Sequence, residues 1–351
     1  MDHGDIGVIG CFAFGETLLN GQTIRTKIMT EELIAKYGKD HIICVDTYNY
    51  RKRALRVAVS SLRCFIQCKK IILILSRNGC NFYYPLASFV SKHFNRKIFN
   101  NLIGGGNVEL YLENKKHIEY CSDFVVNWAQ GKEQVKNLKD IGLLNTKELP
   151  NMKLLQIVSE DSIQSGFTES KYRFCTFSRI HEQKGIENAI NAISDIKQQI
   201  PELNIGLDIY GQIDPEYEKR FKEIMSNSPD YIRYCGYIDY DKTSQALEKY
   251  YMLLFPTTFY GEGFPGTILD AYAAGLPVIA TDWHSNAEVV KDGITGYIYD
   301  PNSPDDLRKL VLKAIKDPGS VLKMKLNSIK EALLYTPDKI MPRIYRELEQ
   351  I

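Results

Sequence analysis

The feature that most constrains the fold is an alternation of short β-branched runs with longer amphipathic segments, which occurs twice along the chain. In the first half, apolar runs of strand length lie at 6–11, 42–46, 71–76, 97–103 and 124–127. Amphipathic segments of helical length lie near 22–37, 50–68, 85–94, 108–119 and 131–142. Because parallel strands need a crossover between them, this order predicts an α/β array, a parallel sheet covered by helices on both faces.

The same pattern starts again in the second half. Its candidate strands lie at 172–178, 205–210, 231–235, 252–255, 277–281 and 297–299, with helices in the gaps. Pro150 and the aperiodic polar stretch 159–170 separate the arrays and are typical of a linker. We therefore predict two domains, residues 1–165 and residues 166–337, with a last helix over 338–351 that rejoins the first. Two such sheets would form a cleft between the carboxyl edges of their strands, where open α/β sheets bind ligands.

Composition excludes several classes of protein. The 351 residues carry 44 Lys and Arg against 43 Asp and Glu, which is unlike a polycation or an acidic tail. No apolar run approaches the roughly 20 residues of a membrane-spanning helix, and the first residues lack the pattern of a signal peptide. The eight cysteines form no Cys-x-x-Cys pair, which favours a reduced, cytosolic chain.

The densest group of candidate site residues follows the strand at 252–255. Glu262 lies among glycines, just before a helix that is expected to start near Gly266. The first N–H groups of this helix, at Gly266, Thr267 and Ile268, are expected to lack partners within the helix and to favour a phosphate. Asp270 follows Glu262 by eight positions. Both carboxylates could bind sugar hydroxyls, or Glu262 could merely face the helix dipole while Asp270 lies on a solvated surface.

A second group follows the first strand of the second array. Arg179 and Lys184 bracket a short turn before a helix, and two cations beside a helix N-terminus are suited to a diphosphate. For this segment alone, a solvated loop is the alternative. A P-loop is absent from the sequence, and the glycines after the first strand are too widely spaced for a dinucleotide fingerprint.

Taken in order, these segments resemble the retaining glycosyltransferases of family 4, which have the GT-B fold of two Rossmann-like domains facing a central cleft. The matching segments are 178–185, 207–211, 234–237 and 262–280. The resemblance implies that Arg179 and Lys184 bind the pyrophosphate of the donor and that Glu262 contacts the transferred sugar near its reacting carbon. Asp270 would bind the ribose hydroxyls, although the family usually has Glu at that position.

The resemblance also implies further contacts. Its other donor-binding positions are Gly21, Gly211, Cys235, Gly236, Tyr237, Gly266, Thr267 and Ile268. The family's glycine-rich loop after the first strand, which faces the donor phosphates and the acceptor, corresponds to Gly15, Gly21, Gln22 and Thr23.

By this resemblance the chain is expected to move a sugar, with retention of configuration, from a nucleoside-diphosphate sugar to a hydroxyl of a lipid-linked saccharide. It is similar to bacterial enzymes of capsule, exopolysaccharide and lipopolysaccharide synthesis. No metal or cofactor is expected, because cations and a helix N-terminus can neutralise the leaving diphosphate. A GT-B nucleotide-sugar 2-epimerase and an inactive GT-B scaffold are the alternatives. The donor base, the sugar, the acceptor, the linkage and the oligomeric state stay open.

A long run without acidic residues distinguishes the first array. Residues 47–108 contain eleven Lys and Arg and no Asp or Glu. Residues 1–160 hold 22 Lys and Arg against 15 Asp and Glu, whereas 161–351 hold 22 against 28, so the near-zero total is a cancellation. On a helix through 50–70, a basic face would lie beside apolar Leu55, Leu62 and Ile66, and its members would be Lys52, Arg56, Arg63 and Lys70. We interpret this face as a contact with anionic lipid on the inner face of the plasma membrane. A solvated helix is the alternative, and nucleic acid is not expected.

Overall fold

The computed structural model describes residues 5–16, 21–168, 171–239 and 242–350. The chain forms two compact units, Met1–Leu154 with Tyr335–Ile351, and Leu155–Leu334. Each unit contains a six-stranded parallel sheet with helices packed against it. This architecture confirms the predicted α/β class. The chain passes between the units at Leu154 and Leu155, whereas we predicted the division at 165.

The first unit alternates strands with helices. Its elements are β1 (Ile6–Gly10), α1 (Gly21–Tyr37), β2 (Ile42–Asp46), α2 (Ala54–Gln67), β3 (Lys70–Ile74), α3 (Arg77–Phe94), β4 (Lys97–Asn101), α4 (Asn107–Glu113), α5 (Lys116–Ser122), β5 (Val126–Ala129), α6 (Lys132–Asp140) and β6 (Thr146–Glu148). The strand order is β2-β1-β3-β4-β5-β6. The central strands are buried on both faces, which explains their continuous apolar runs. We did not predict β6, because its Thr-Lys-Glu sequence has no apolar pattern.

The second unit repeats the plan. Its elements are α7 (Glu160–Gly166), β7 (Tyr172–Phe177), α8 (Ile186–Gln199), β8 (Ile205–Tyr210), α9 (Glu218–Ser226), β9 (Ile232–Tyr234), α10 (Thr243–Leu247), β10 (Leu253–Phe255), α11 (Gly266–Ala273), β11 (Val278–Thr281), α12 (Asn286–Val289), β12 (Gly296–Tyr299), α13 (Pro304–Lys316) and α14 (Pro318–Ala332). The strand order is β12-β11-β10-β7-β8-β9. The chain then returns to the first unit as α15 (Pro337–Glu349), which packs on α1 and buries Ile344 and Leu348.

Two local predictions are wrong. The stretch predicted as an aperiodic linker contains α7, because the Ser159 hydroxyl caps the helix by accepting the Ser162 N–H at 3.1 Å. The helix predicted over 50–70 is α2, which ends at Gln67. Lys70 therefore opens β3, and its Nζ donates to the carbonyl oxygen of Leu348 at 2.5 Å. Lys52 precedes α2, so Arg56 and Arg63 are the members of the predicted basic face that the helix contains. Across the part of the chain that the structure describes, every helix is too short or too polar to cross a membrane.

A buried ion cluster fixes the second sheet. Asp208 on β8 is 2% exposed and pairs with Arg173 on β7. It also accepts hydrogen bonds from Arg233 Nε at 2.9 Å and from the Tyr250 hydroxyl at 2.8 Å. Burial alone would raise the pKa of Asp208, but these donors hold that pKa well below its usual range.

Substituting Asp208→Asn is expected to lower the free energy of unfolding by about 3 kcal/mol, because the half-buried Arg173 loses its partner. The pKa of this carboxyl is lower in the folded protein than in the unfolded chain, where it is about 3.9. Its contribution to stability is therefore complete above about pH 3.9 and is lost as the pH falls toward the pKa of the folded state. The wild-type chain should therefore lose stability more steeply than the variant below about pH 4. Chemical denaturation across this pH range measures both effects, and equal slopes would contradict the assignment.

The turn after β8 is closely packed against the loop after β7. Gly211 has a φ of 148°, and a Cβ at this position would lie 1.7 Å from the carbonyl oxygen of Ser178. Gly236, after β9, has a φ of 80°, but a Cβ there would meet nothing within 4 Å. Both positions disfavour side chains, and only Gly211 also lacks space for one.

Substituting Gly211→Ala is expected to destabilise the protein by more than about 2 kcal/mol, because backbone strain and a steric clash add. Gly236→Ala is the matched control and should cost about 1 kcal/mol through backbone strain alone. Denaturant titration of both variants measures the difference. Equal losses would show that the contact with Ser178 has no energetic consequence.

Candidate active site

The two predicted segments meet at one edge of the second sheet. β7 and β10 are parallel neighbours, so the loops that follow them leave the same carboxyl edge. The N–H of Thr258 donates to the carbonyl oxygen of Gln183 at 2.8 Å and joins the loops directly. Gly185, with a φ of 69°, makes this approach possible, since a Cβ there would lie 2.1 Å from the carbonyl oxygen of Pro256.

Lys184 and Glu262, 78 positions apart in the sequence, form an ion pair at this edge. Their side chains are 11% and 14% exposed. Thr257 lies beside the pair, with its hydroxyl 3.4 Å from Glu262 Oε2. The ammonium also lies 4.6 Å from the centre of the Phe259 ring, a favourable cation–π distance. Burying either charge alone would be costly, so each stabilises the other in this position.

Arg179 lies on the same loop as Lys184 but is more exposed. Its side chain is 62% exposed, and Nη1 lies 3.8 Å from Asp214 Oδ2. Because the Arg179 side chain is largely in solvent, a pair at this distance contributes little to stability. Arg179 can therefore turn away from Asp214 and bind the anion of a ligand at little cost in free energy.

The N-terminus of α11 provides backbone donors near Glu262. The helix begins at Gly266, as predicted, and the N–H groups of Gly266 and Thr267 lie in its first turn, where they have no acceptor within the helix. The prediction for Ile268 is wrong in one respect. Its N–H donates to the carbonyl oxygen of Pro265 at 3.1 Å and is not unpaired. Asp270 lies in the second turn and is 9% exposed, and its contact with ribose stays a prediction.

The predicted donor-binding residues Gly211, Cys235, Gly236 and Tyr237 follow β8 and β9 at the same edge. The Gly211 N–H donates to the Gly236 carbonyl at 2.9 Å, which joins the two turns. Cys235 is exposed, and so is Tyr237, whose side chain is 55% accessible. An exposed aromatic ring beside backbone groups can stack on a planar base.

The predicted glycine-rich loop belongs to the first unit. Gly15 has a φ of 85° and open space around it, and Gly21 opens α1. The amide of Gln22 donates to the Ile74 carbonyl at 2.9 Å, and Thr23 is buried with its hydroxyl 3.4 Å from Cys11 Sγ. The side chains of Gln22 and Thr23 therefore bind protein atoms, while Gly15 stays accessible.

Several supporting residues were not predicted. Trp283 donates its indole N–H to the Phe259 carbonyl at 3.0 Å, and the Thr281 hydroxyl donates to the Thr257 carbonyl at 2.5 Å. The loop after β11 therefore holds the loop that carries Glu262. In the first unit, the Asp46 carboxylate accepts the N–H groups of three consecutive residues after β1, at 2.9, 3.2 and 3.2 Å. The sequence does contain one signal for Asp46, Thr257 and Thr281, because each is a polar residue at or just after the carboxyl end of a predicted strand.

The described residues contain no group of three or more His, Cys, Asp and Glu side chains that could hold a metal ion. The groups at this edge that could contact a ligand are a buried Lys–Glu pair, an exposed arginine and a helix N-terminus. Together they present positive charge and N–H donors beside one carboxylate, which is suited to an anionic ligand that carries hydroxyl groups.

Residues 158–331 match the family described as "Glycosyl transferases group 1". Similar sequences include the lipopolysaccharide 1,6-galactosyltransferase of Escherichia coli K12, 26% identical over 54% of this chain and 52% of that protein. The poly(glycerol-phosphate) alpha-glucosyltransferase of Bacillus subtilis is 25% identical over 58% of this chain and 31% of its own length. The chain spans about half or less of the length of the first curated relatives it matches, 50% and 32% for two of them.

Solved structures with the same fold cover nearly the whole chain. Anabaena Alr3699/HepE in complex with UDP-glucose superposes with a TM-score of 0.76 over 99% of this chain and all of that one, at 15% identity. Sucrose-phosphate synthase from Thermosynechococcus elongatus gives a TM-score of 0.75 over 99% of both chains, at 17% identity. The chain therefore has the GT-B fold, and residues 158–331 are similar in sequence to the Glycosyl transferases group 1 family and to known glycosyltransferases.

Proposed function

We propose that the chain is a retaining glycosyltransferase that moves a sugar from a nucleoside-diphosphate donor to an acceptor hydroxyl. The observation that carries this proposal is the Lys184–Glu262 pair at the carboxyl edge, beside the N-terminus of α11. A diphosphate needs several cationic and N–H donors, and a sugar needs a carboxylate acceptor for its hydroxyls. The edge supplies both kinds of group within one domain.

Lys184 can act on the ligand without leaving Glu262. An ammonium has three donors, and the Glu262 carboxylate takes one of them. The remaining donors, the Arg179 guanidinium and the N–H groups of Gly266 and Thr267 would bind the pyrophosphate. Glu262, held by Lys184, would then meet the transferred sugar near its reacting carbon.

In the proposed reaction, the bond between the anomeric carbon and the phosphate oxygen breaks, and the acceptor oxygen bonds to that carbon. The diphosphate leaves with the electron pair of the broken bond, and the proton of the acceptor hydroxyl leaves with it. Attack from the face that the diphosphate vacates retains the configuration. Preorganised cations are most useful here, because negative charge grows on the leaving group in the transition state.

Names of relatives support a uridine nucleotide as the donor. The GtfA subunit of Streptococcus pneumoniae, 29% identical over 48% of this chain and 32% of its own length, is named as a UDP-N-acetylglucosamine–peptide N-acetylglucosaminyltransferase. For the acceptor, we propose a lipid-linked saccharide of a bacterial surface polysaccharide. The names of the lipopolysaccharide and poly(glycerol-phosphate) enzymes support this choice. The place of action would be the cytoplasmic face of an anionic membrane.

Nucleotide binding and turnover should separate the roles of the paired residues. Lys184→Met and Arg179→Ala are expected to weaken UDP binding by at least about tenfold, because charge-assisted hydrogen bonds to phosphate are lost. Glu262→Gln should change UDP affinity by less than about threefold but lower turnover by more than about a hundredfold, because its target is the sugar. Calorimetric titration with UDP and GDP and sugar-transfer assays measure these effects.

Lys222→Met is the matched control, because Lys222 is exposed, is paired with Glu218 on α9 and is not one of the predicted site residues. It should bind UDP like the wild-type chain, and circular dichroism should show that all four variants are folded. Unchanged UDP affinity in both cation variants would overturn the assignment. Release of free or epimerised sugar without an acceptor would favour the epimerase, and nucleotide binding without any turnover would favour an inactive scaffold.

Transfer is also expected to need no divalent metal. Treatment with EDTA followed by gel filtration should leave the rate within about twofold, and added Mg²⁺ should not raise it, because the protein's own cations neutralise the diphosphate. The metal content of the treated protein is the control. A rate that falls after EDTA and returns with Mg²⁺ would contradict the proposed mechanism.

A further inference from the structure

Helix α2 leaves an apolar face uncovered. Leu55, Val59, Leu62 and Ile66, which we name the α2 stripe, are 80%, 60%, 62% and 60% exposed. Their spacing of four, three and four positions places them within about 60° around the helix. The opposite side of α2 buries Ser61, Cys64 and Phe65. The helix therefore has two apolar faces, and the sheet covers one of them.

Cations surround the stripe. Arg51, Lys52 and Arg53 precede the helix, and Arg56 and Arg63 lie on its exposed surface. At the other end, the Arg96 guanidinium donates to the carbonyl oxygens of Phe65 and Ile66 at 3.0 and 2.6 Å. Residues 47–108 contain no carboxylate side chain that would repel an anion. Positive charge beside exposed aliphatic carbon is the pattern of a helix that lies in a membrane interface.

A cavity lies between α2 and α3, and the α2 residues that line it, Ala54, Val57 and Ala58, are on a different side of the helix from the stripe. This cavity measures about 320 Å³ and is lined mainly by apolar and aromatic side chains, among them Val57, Leu75 and Tyr83. Tyr50 and Phe82 line it and are 43% and 59% exposed, so it opens at the surface. Its volume is near the lower limit of about 300 Å³ for small-molecule sites. A hydrocarbon chain fits such a space, whereas a hydrophilic polyanion would gain nothing from it.

Charge decides between the possible occupants of the stripe. A second copy of this face would bring arginines against arginines, which is unfavourable. A bilayer leaflet supplies an anionic plane for the cations and hydrocarbon beneath it for the leucines. Scattered exposed apolar residues are common, but four on one helical face are not scattered.

We propose that α2 lies in the boundary between head groups and acyl chains of an anionic bilayer, with the α2 stripe toward the hydrocarbon. The flanking arginines and lysines bind the lipid phosphates, and the cavity accepts part of a lipid chain. This proposal specifies how the chain contacts the membrane named in the proposed function. It rests on that function only for the choice of membrane. Electrostatic contact alone would leave the stripe in water, whereas insertion removes it from water.

Vesicle binding of the full chain tests the proposal. Leu55→Ser with Leu62→Ser should lower partitioning onto phosphatidylglycerol vesicles by at least about tenfold, because two exposed leucines no longer insert. Leu144→Ser is the matched control, since Leu144 is 75% exposed in the same unit but outside the stripe, and it should bind like the wild-type chain. Arg56→Gln with Arg63→Gln should weaken binding several-fold and reduce its salt dependence.

Depth is measured separately, by tryptophan fluorescence with brominated lipids. Leu62→Trp should be quenched by brominated acyl chains, and Leu144→Trp should not. Vesicle binding that is unchanged by the leucine substitutions, or a lack of quenching at position 62, would overturn insertion. A wild-type dimer that the leucine substitutions convert to a monomer, with no vesicle binding, would assign the stripe to self-association and also overturn it. UDP titration of each variant keeps failure of this proposal distinct from failure of the proposed function.

Discussion

Parallel pairing of β7 with β10 is the constraint on which the candidate site depends. Parallel strands leave a sheet at the same edge, so the loop after each strand arrives beside the loop after its neighbour. β10 follows β7 by about 75 positions, yet Cys175 and Leu253 are register partners. Lys184 and Glu262 can form a pair only because of this order. The sheet therefore determines which distant residues can act together, and the loops determine what they do.

The Lys184–Glu262 pair also limits what the edge can bind. A buried ion pair is weak as a source of stability, since desolvation offsets much of the attraction. The pair instead determines where the two side chains lie. Each charge holds the other in a buried position that neither would occupy alone. Thr257 and Phe259 restrict the pair further, and Trp283 holds the carbonyl of Phe259. A ligand that binds Lys184 must leave Glu262 paired or replace it with an equivalent anion, and the proposed diphosphate donor meets this requirement.

The sequence predicts the two sheets well, because buried parallel strands require apolar runs that stand out from the amphipathic helices. It predicts the site loops through their glycines and cations. It does not predict β6, whose residues lack an apolar pattern, or α7, which depends on the cap by Ser159. Pair formation between Lys184 and Glu262 is also beyond local patterns, because it needs the strand order. The burial of Thr23 follows from how α1 packs, which the local sequence does not show, whereas Gly15 before the helix is exposed.

Helix α2 shows why composition alone could not locate the surface that matters. Its sequence contains enough apolar residues for either side to face the sheet, and the sheet takes the side with the small residues Ser61 and Cys64. Gly7 explains this choice, because a Cβ there would lie 2.3 Å from Cys64 Sγ, so helix and strand are in close contact. Bulky Leu55 and Leu62 would prevent that contact and are left outside. Exposed leucines promote aggregation unless a membrane or another protein covers them. The close packing of Cys64 on Gly7 and the exposure of the α2 stripe are therefore two consequences of one helix orientation.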